Sequence, residues 1–285
     1  MKAIVVTSFG DPEVMKYTDV DMPTISEDQV LIRVFATSVN FADIKSRYGK
    51  KGNKALPFIP GIDATGEVDF QTAAACPIVS FTSYNLLANV ARLQQGESVL
   101  IHAAAGGIGT TAIQLAKLLG AKKVIGTVGS VAKKEIALDA GADYVICHQA
   151  EDFVEKVNEL TNGEGVNIIL DSISGTFSER SLNCLAYYGR LVHFGNASGE
   201  IGNFQTKDLH ASCRSILGFS FGTTRKKRPE LLQETANEVF RYLHDGRLQI
   251  KATKSFPLQD AGKAHEWVES RKSTGKVILT VQSSS

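Results

Sequence analysis

The chain has 285 residues with a formal net charge of +1, and charged residues make up 21% of it. This balance excludes a general electrostatic attraction to nucleic acid or to an anionic membrane surface. Its hydrophobic residues, 43% of the total, come in short runs. They predict no membrane span and no secretory signal, so we expect a cytoplasmic protein of two modest domains.

Both ends of the chain predict parts of one small β domain. Residues 2–39 contain three stretches rich in β-branched residues, the last at 29–39, with turn residues between them, which is typical of antiparallel strands. Residues 248–281 contain two strand patterns around an amphipathic helix, and a second amphipathic helix at 229–246 precedes them. We interpret the region between the two ends as an inserted domain.

From about residue 97 to residue 222, short apolar strands alternate regularly with helices. This is the pattern of βαβ units, which form a parallel sheet covered by helices on both faces. The predicted fold class is therefore α/β, with a Rossmann-type doubly wound parallel sheet plus the second domain built from both chain ends.

A glycine-rich turn follows the first of these strands and opens the first helix. It comprises Ala105, Gly106, Gly107, Ile108 and Gly109. The N–H groups at a helix N-terminus point outward, and the helix dipole favours an anion there. Because glycine and alanine let a pyrophosphate reach the backbone, the strand–turn–helix predicts a dinucleotide site. A tight turn that binds nothing is the alternative.

The end of the next strand favours NADPH over NADH. An NAD site usually carries Asp or Glu about twenty residues beyond the glycines, to accept from the ribose 2′-hydroxyl. Here the strand ends at Gly129 and Ser130 without a carboxylate, and Lys133 follows one turn later. A hydroxyl and an ammonium suit a 2′-phosphate. The alternative is that Lys133 is simply a solvated helix residue.

Residues 96–117 fit the pattern GExxLxxxAAGGxGxxxxQxxK. This pattern resembles the signature of the quinone oxidoreductase/ζ-crystallin group of the medium-chain dehydrogenase/reductase superfamily, and the similarity extends over nearly the whole chain. The resemblance implies an enzyme that reduces quinones with NADPH by hydride transfer. It also implies a GroES-like catalytic domain at residues 1–82 and 224–285 and a Rossmann domain at 83–223.

Zinc alcohol dehydrogenases of the same superfamily carry a cysteine early in the β domain and a Gly-His-Glu segment. This chain has Asn40-Phe41-Ala42-Asp43 and Gly61-Ile62-Asp63 in those places. We therefore expect no metal, and no Lewis acid for an alcohol or carbonyl. A quinone is already electron-poor, so it needs positioning near the nicotinamide and donors for the developing oxyanion.

The resemblance also assigns individual residues. Asn40 and Asp43 are the catalytic candidates at the nicotinamide end, where Asn40 can donate to the carboxamide or to the quinone oxygen. Ser130, Lys133 and Arg271 match the group that holds the 2′-phosphate. The cofactor-binding candidates are Thr82, Ala105, Gly106, Gly107, Ile108, Gly109, Gly129, Ser130, Lys133, His148, Ser172, Phe194, Gly195, Asn196 and Arg271.

Three departures from the family pattern affect these expectations. His148 and Lys45 stand where the family often has tyrosines. The first change predicts weaker cofactor binding, and the second leaves the acid-like group unidentified. Several family strands between the segment ending at Val68 and the helix near Phe70 have no counterpart here, so the GroES-like domain is predicted to be incomplete after about residue 68.

Three alternatives remain open from the sequence. Reduction of α,β-unsaturated carbonyls shares the hydride geometry, and only a substrate panel separates it from quinone reduction. The missing strands favour an NADPH-binding protein with little or no turnover, whereas Asn40 and Asp43 disfavour it. The basic run at residues 225–228 would favour RNA, but in a chain of net charge +1 such a run is more often a solvated loop, so no nucleic-acid partner is expected.

An incomplete barrel leaves unpaired strand edges and exposed apolar surface, so we predict a homodimer or a higher assembly. Light scattering at micromolar concentration should give the mass of at least two chains. A monomer under these conditions would contradict this prediction.

Overall fold

The computed structural model describes residues 1–24, 32–50, 55–65 and 70–281, with the backbone alone described at 64–65 and 70–74. They form two compact units, Met1–Ile78 with Ile250–Ser285, and Val79–Gln249. The sequence prediction places the domain boundaries at 82/83 and 223/224. Residues 224–249 are therefore expected in the first domain, whereas in the structure they belong to the second unit. There Asn85 Nδ2 donates to Thr235 Oγ1 at 3.0 Å, and the Phe81 and Phe240 rings lie 5.8 Å apart.

The described strands are β1 (Lys2–Val6), β2 (Met15–Asp19), β3 (Ala36–Val39), β4 (Ala64–Thr65), β5 (Ser98–Ile101), β6 (Lys123–Val128), β7 (Tyr144–Cys147), β8 (Val166–Asp171), β9 (Leu185–His193), β10 (Ser215–Gly218), β11 (Ala252–Pro257) and β12 (Lys276–Thr280). The described α-helices are α1 (Phe41–Arg47), α2 (Phe70–Tyr84), α3 (Gly107–Leu118), α4 (Lys134–Asp139), α5 (Phe153–Leu160), α6 (Thr176–Ser181), α7 (Lys207–His210), α8 (Phe221–Lys227), α9 (Glu230–His244) and α10 (Ala261–Glu269). None of these helices is both long enough and apolar enough to cross a membrane.

The second unit is built on a six-stranded sheet with the order β10-β9-β8-β5-β6-β7. Every described pair in this sheet is parallel, which confirms the predicted Rossmann-type arrangement. Strands covered on both faces must be apolar throughout, and Leu100, Ile125 and Ile169 are accordingly fully buried. Ile113 of α3 and Phe153 of α5 are buried with them.

The strand order of this sheet reverses between β5 and β8. β5, β6 and β7 follow one another to one side, and β8, β9 and β10 to the other. In open parallel sheets, ligands bind beyond the carboxyl ends of the strands at such a reversal. The turn after β5 and the loops after β8 and β9 lie at that edge of this unit.

The first unit contains a four-stranded sheet with the order β11-β12-β3-β4 and a separate β1–β2 hairpin. β3 pairs antiparallel with β12 and β4, and β1 with β2, as the sequence predicts. β11 and β12 pair parallel instead, because α10 forms a crossover between them. Of the predicted strand at residues 29–39, the described part is a strand only from Ala36 to Val39.

A small apolar core lies between α10 and this sheet, with Ile4, Val39, Ala264, Val277 and Leu279 among its buried members. β4 is two residues long. The junction at Val68 and Asp69, where the sequence predicts missing strands, lies outside the described residues.

A fully buried arginine ties the end of α1 to α10. The Arg47 guanidinium donates to Glu269 Oε1 at 2.8 Å and to the Gly10 carbonyl oxygen at 3.0 Å. Its Nη1 lies 3.3 Å from His265 Nδ1. Because a guanidinium only donates, this histidine nitrogen is the acceptor and the ring is neutral. Burial, together with the Arg47 charge, lowers the pKa of His265 to about 4.

We predict that His265 makes the fold sensitive to acid. The unfolded chain binds a proton near the ordinary pKa of 6.5, whereas the folded chain does so only near 4. The free energy of unfolding should therefore fall as the pH drops through this window, by about 3 kcal/mol from this group. His265→Asn keeps an acceptor for Arg47 but does not titrate, so its urea midpoint should fall less steeply than that of the unmodified chain. Equal slopes would contradict the prediction.

Candidate functional site

The turn between β5 and α3 is closed by direct backbone packing. A Cβ on Gly109 would lie 2.5 Å from the Ala103 carbonyl oxygen and 2.6 Å from backbone atoms of Ala104. These distances are too short for any side chain, so the turn itself requires glycine at this position. Gly106 is less constrained, because its Cβ would lie 3.3 Å from the Ala103 oxygen.

The same turn presents a helix N-terminus suited to an anion. The first N–H groups of α3 have no acceptor within the helix, and they form the positive end of its dipole. Ala105 is buried, whereas Gly106, Gly107 and Ile108 are partly exposed. Because these residues are small or bear no polar side chain, phosphate oxygens can approach the backbone directly.

The predicted 2′-phosphate residues of this unit lie beyond the end of β6. The Lys133 amide donates to the Ser130 carbonyl oxygen at 3.1 Å, in the short turn that follows Gly129. His148 follows the neighbouring strand β7, and its Nε2 would lie 3.6 Å from a Cβ on Gly129. Burial lowers the pKa of both Lys133 and His148. The structure thus brings these four residues to one edge of the sheet.

The loops after β8 and β9 pack on each other through their backbones. The Phe194 amide donates to the Asp171 carbonyl oxygen at 3.0 Å, and a Cβ on Gly195 would lie 3.0 Å from the Ser172 carbonyl oxygen. Asn196 Oδ1 accepts from the Gly199 amide at 2.7 Å. The predicted residues Ser172, Phe194, Gly195 and Asn196 therefore form one continuous surface at the sheet edge.

A buried carboxylate organises these two loops. Asp171 Oδ1 accepts from the amides of Ile173 at 2.8 Å and Ser174 at 3.3 Å. Its Oδ2 accepts from the Ser178 hydroxyl and lies 3.3 Å from His193 Nδ1. Asp171 is itself fully buried, so it ties the ends of β8 and β9 to the start of α6.

The first unit holds a second polar site at one end of its sheet. By the register of the two antiparallel pairs, Lys276 of β12 falls beside Asn40, which follows β3, and Asp63 falls beside Ser38 of β3. Residues 38 and 40 point to the same face of a strand. The four side chains therefore meet, and all are more than nine-tenths buried.

Hydrogen bonds link this cluster into one network. Lys276 Nζ donates to Asn40 Oδ1 at 2.7 Å, and Asn40 Nδ2 donates to Asp63 Oδ2 at 2.8 Å. Ser38 Oγ donates to the same carboxylate oxygen at 2.7 Å, and Lys276 Nζ lies 3.5 Å from it. The Ile78 amide donates to Asp63 Oδ1 at 3.3 Å. Burial lowers the pKa of Lys276.

Asp43 lies in the first turn of α1 and is also buried. Its Oδ2 accepts from the Asn40 backbone amide at 2.8 Å, which fixes the start of the helix. Burial raises the pKa of Asp43, and the nearby Asp63 carboxylate acts in the same direction. The structure thus brings the two predicted catalytic residues, Asn40 and Asp43, into direct contact.

Two further predicted residues are each described within their own unit. Thr82 is buried on α2 in Val79–Gln249, and Arg271 follows α10 in the first unit and is exposed. Their contacts with a cofactor stay predictions.

The sequence does not predict the parts played by Ser38, Asp171 or Lys276, and it singles out Asp63 only as a departure from a zinc-ligand segment. Lys276 stands at the start of an apolar strand pattern. A charged residue at an expected core position is unusual, and this is the feature of the sequence that could have indicated a role for Lys276. Among the described residues, no group of three or more His, Cys, Asp and Glu side chains is placed to hold a metal ion.

Two family models match the chain. Residues 26–154 match the alcohol dehydrogenase GroES-like domain, and residues 107–237 match the zinc-binding dehydrogenase model. Together they cover the glycine-rich turn, the sheet edge and most of the first unit's polar site.

The chain is also similar to named relatives. It is 32% identical to quinone oxidoreductase 1 of Escherichia coli over an alignment of 322 positions, gaps included. The alignment covers 95% of this chain and 96% of the relative. It is 32% identical to the quinone oxidoreductase of Pseudomonas aeruginosa, covering 98% and 99%. The first comparison spans more positions than the 285 residues of this chain, so the relative has residues without a counterpart here.

The structure is similar to that of Escherichia coli quinone oxidoreductase complexed with NADPH. The TM-score is 0.90 at 30% identity, and the match covers 98% of this chain and all of the other. The sequence similarity, the two domain matches and this fold agree with one another. The chain belongs to the quinone oxidoreductase family of the medium-chain dehydrogenase/reductase superfamily, and it is an oxidoreductase.

Proposed function

We propose that this chain reduces quinones by hydride transfer from NADPH without a metal ion. The observation that carries the proposal is the turn between β5 and α3, where Gly109 allows backbone packing that a side chain would prevent. The Escherichia coli structure that this chain resembles contains NADPH, which supports the same cofactor here.

The residues of the second unit fit this cofactor. The N-terminus of α3 would hold the pyrophosphate. Ser130 and Lys133 lie where an NAD site has its carboxylate, and we propose that they bind the 2′-phosphate together with Arg271. When bound, NADPH supplies the hydride. Thr82, Phe194 and Asn196 remain proposed contacts at the ribose and nicotinamide.

The polar site of the first unit supplies a donor for the reduction. One hydrogen on Asn40 Nδ2 goes to Asp63, and an amide nitrogen carries two. We propose that the second is donated to the quinone oxygen, where negative charge develops as the ring accepts a hydride, or to the nicotinamide carboxamide. A fixed donor aimed at such an oxyanion is a strong contribution to catalysis. Uptake of one proton from solvent by the oxyanion then completes the two-electron reduction.

Two other functions have support. Enones accept a hydride with the same geometry and need the same donor, so reduction of α,β-unsaturated carbonyls is the second candidate activity. A cofactor-binding protein with little turnover is favoured by the residues that the Escherichia coli relative has and this chain lacks. Such a protein would bind NADPH without oxidising it in the presence of either substrate.

We predict that the chain oxidises NADPH in the presence of a soluble benzoquinone, with a KM for NADPH at least about tenfold below that for NADH. The preference follows from charge-assisted hydrogen bonds to the 2′-phosphate. Loss of the near-ultraviolet absorbance of the reduced nicotinamide measures the rate, and a matched enone tests the second candidate. Tight NADPH binding by fluorescence titration, with no turnover of either substrate, would contradict the proposal.

Gly109→Ala should weaken NADPH binding at least about tenfold. The added Cβ would meet backbone atoms 2.5 Å away, so the turn must open and the amide groups that face the phosphates must shift. Fluorescence titration of NADPH measures the dissociation constant. Gly222→Ala is the matched control, because a Cβ on Gly222 in α8 meets nothing within 4 Å. Unchanged affinity in a folded Gly109→Ala variant would show that the turn does not hold the cofactor.

A further inference from the structure

Lys276 is a buried lysine that neither the sequence pattern nor the proposed reaction accounts for. The residue is 3% exposed, and removing an ammonium from water is strongly unfavourable unless it is paired. The Lys276 ammonium has two such partners: its Nζ lies 2.7 Å from Asn40 Oδ1 and 3.5 Å from Asp63 Oδ2. Asp63 is 4% exposed, and its carboxylate accepts from Ser38 and Asn40 as well as facing the ammonium.

The chemistry of these two ions fixes how the Asn40 amide is oriented. An ammonium can only donate and a carboxylate can only accept. The Asn40 oxygen must therefore face Lys276 and its nitrogen must face Asp63. The reversed amide would place N–H groups against the ammonium and oxygen against the carboxylate, two repulsive contacts in a buried site.

The backbone of Asn40 is held independently. Its amide donates to Asp43 Oδ2 at 2.8 Å, and the Asp43 amide donates to the Asn40 carbonyl oxygen at 2.9 Å. The main chain at residue 40 is thus set by α1, and the Asp43 carboxyl also interacts with the Asn40 side chain. The hydrogen bonds with Lys276 and Asp63 involve only the side-chain amide, so they can be removed while the backbone hydrogen bonds of residue 40 remain.

A merely structural role does not require these ions. Buried ion pairs can often be replaced by apolar residues of similar volume without loss of stability. Retaining an ammonium and a carboxylate on either side of one amide fits a need for a directed donor rather than for a tighter core.

We propose that Lys276 is a positioning residue for the reduction: with Asp63 as its counterion, it locks the Asn40 amide so that the second hydrogen on Nδ2 points to the substrate or carboxamide oxygen. This inference rests on the proposed function of Asn40. Lys276 acts through Asn40 and touches no reacting atom.

Three variants separate positioning from stability. Lys276→Arg keeps the charge and the donors and should retain kcat within a fewfold. Lys276→Met leaves Asp63 unpaired and should lower both the thermal midpoint and kcat. Lys276→Met combined with Asp63→Asn removes both charges and keeps an acceptor for Ser38 and the Ile78 amide, so it should regain stability. An amide at position 63 can donate as well as accept and no longer dictates how the Asn40 amide is oriented, so kcat for benzoquinone should stay about 10- to 100-fold low.

The same double variant should bind NADPH with a dissociation constant within about twofold of the unmodified chain, since the glycine-rich turn and the sheet edge of the second unit are unchanged. Lys263→Met is the control for loss of a lysine charge, because Lys263 pairs with Asp260 and its side chain is 69% exposed. It should leave kcat, stability and NADPH binding as they are.

The outcome that overturns the proposal is a stable double variant with undiminished kcat. If that variant does not fold, Lys276→Met is compared in the presence and absence of Asn40→Ala. A residue that acts through Asn40 loses most of its effect on kcat in the Asn40→Ala background, and an equal loss in both backgrounds overturns the proposal.

Hydrogen exchange of the Asn40 side-chain amide tests the anchoring without relying on quinone reduction. The side-chain amide hydrogens of Asn40, identified in NMR spectra by their absence from Asn40→Ala, should exchange slowly in the unmodified chain and much faster in the double variant. Failure of quinone reduction with slow amide exchange would reject the proposed activity but keep the anchoring. Fast exchange in the unmodified chain would reject the anchoring itself.

Discussion

The antiparallel register of β3 with β12 and β4 is the constraint on which the chemistry of the first unit depends. It places Lys276 beside Asn40 and Asp63 beside Ser38, so an ammonium, an amide and a carboxylate meet at one end of a short sheet. A shift of one residue in either pairing would turn these side chains to the opposite face. The polar site is therefore a consequence of strand pairing as much as of the residues present.

In the second unit, the proposed cofactor surface depends on parallel strands rather than on antiparallel register. Its parallel strands all end at the same edge, so every loop that follows a strand contributes to that edge. Gly109 lets α3 begin against the backbone of the preceding turn, and buried Asp171 holds the loops after β8 and β9. A cofactor surface made largely of backbone needs such rigid support, because phosphate recognition depends on where amide groups point.

Each unit contains a polar or backbone surface of its own. The second unit has the sheet, the turn and the loops expected of a dinucleotide-binding domain. The first unit has its polar site, although the chain is shorter than the relatives with which it aligns.

Local sequence patterns predict the alternating strands and helices, the glycine-rich turn and the family, because each is encoded by residues close together in the chain. They also predict Asn40 and Asp43, three positions apart, as catalytic candidates. Three features become visible only in the folded chain: Lys276 contacts Asn40 across 236 positions, Arg47 buries its charge against α10, and residues 224–249 pack with the second unit. Contacts between distant segments depend on strand register and on which apolar faces meet, and neither can be read from local periodicity.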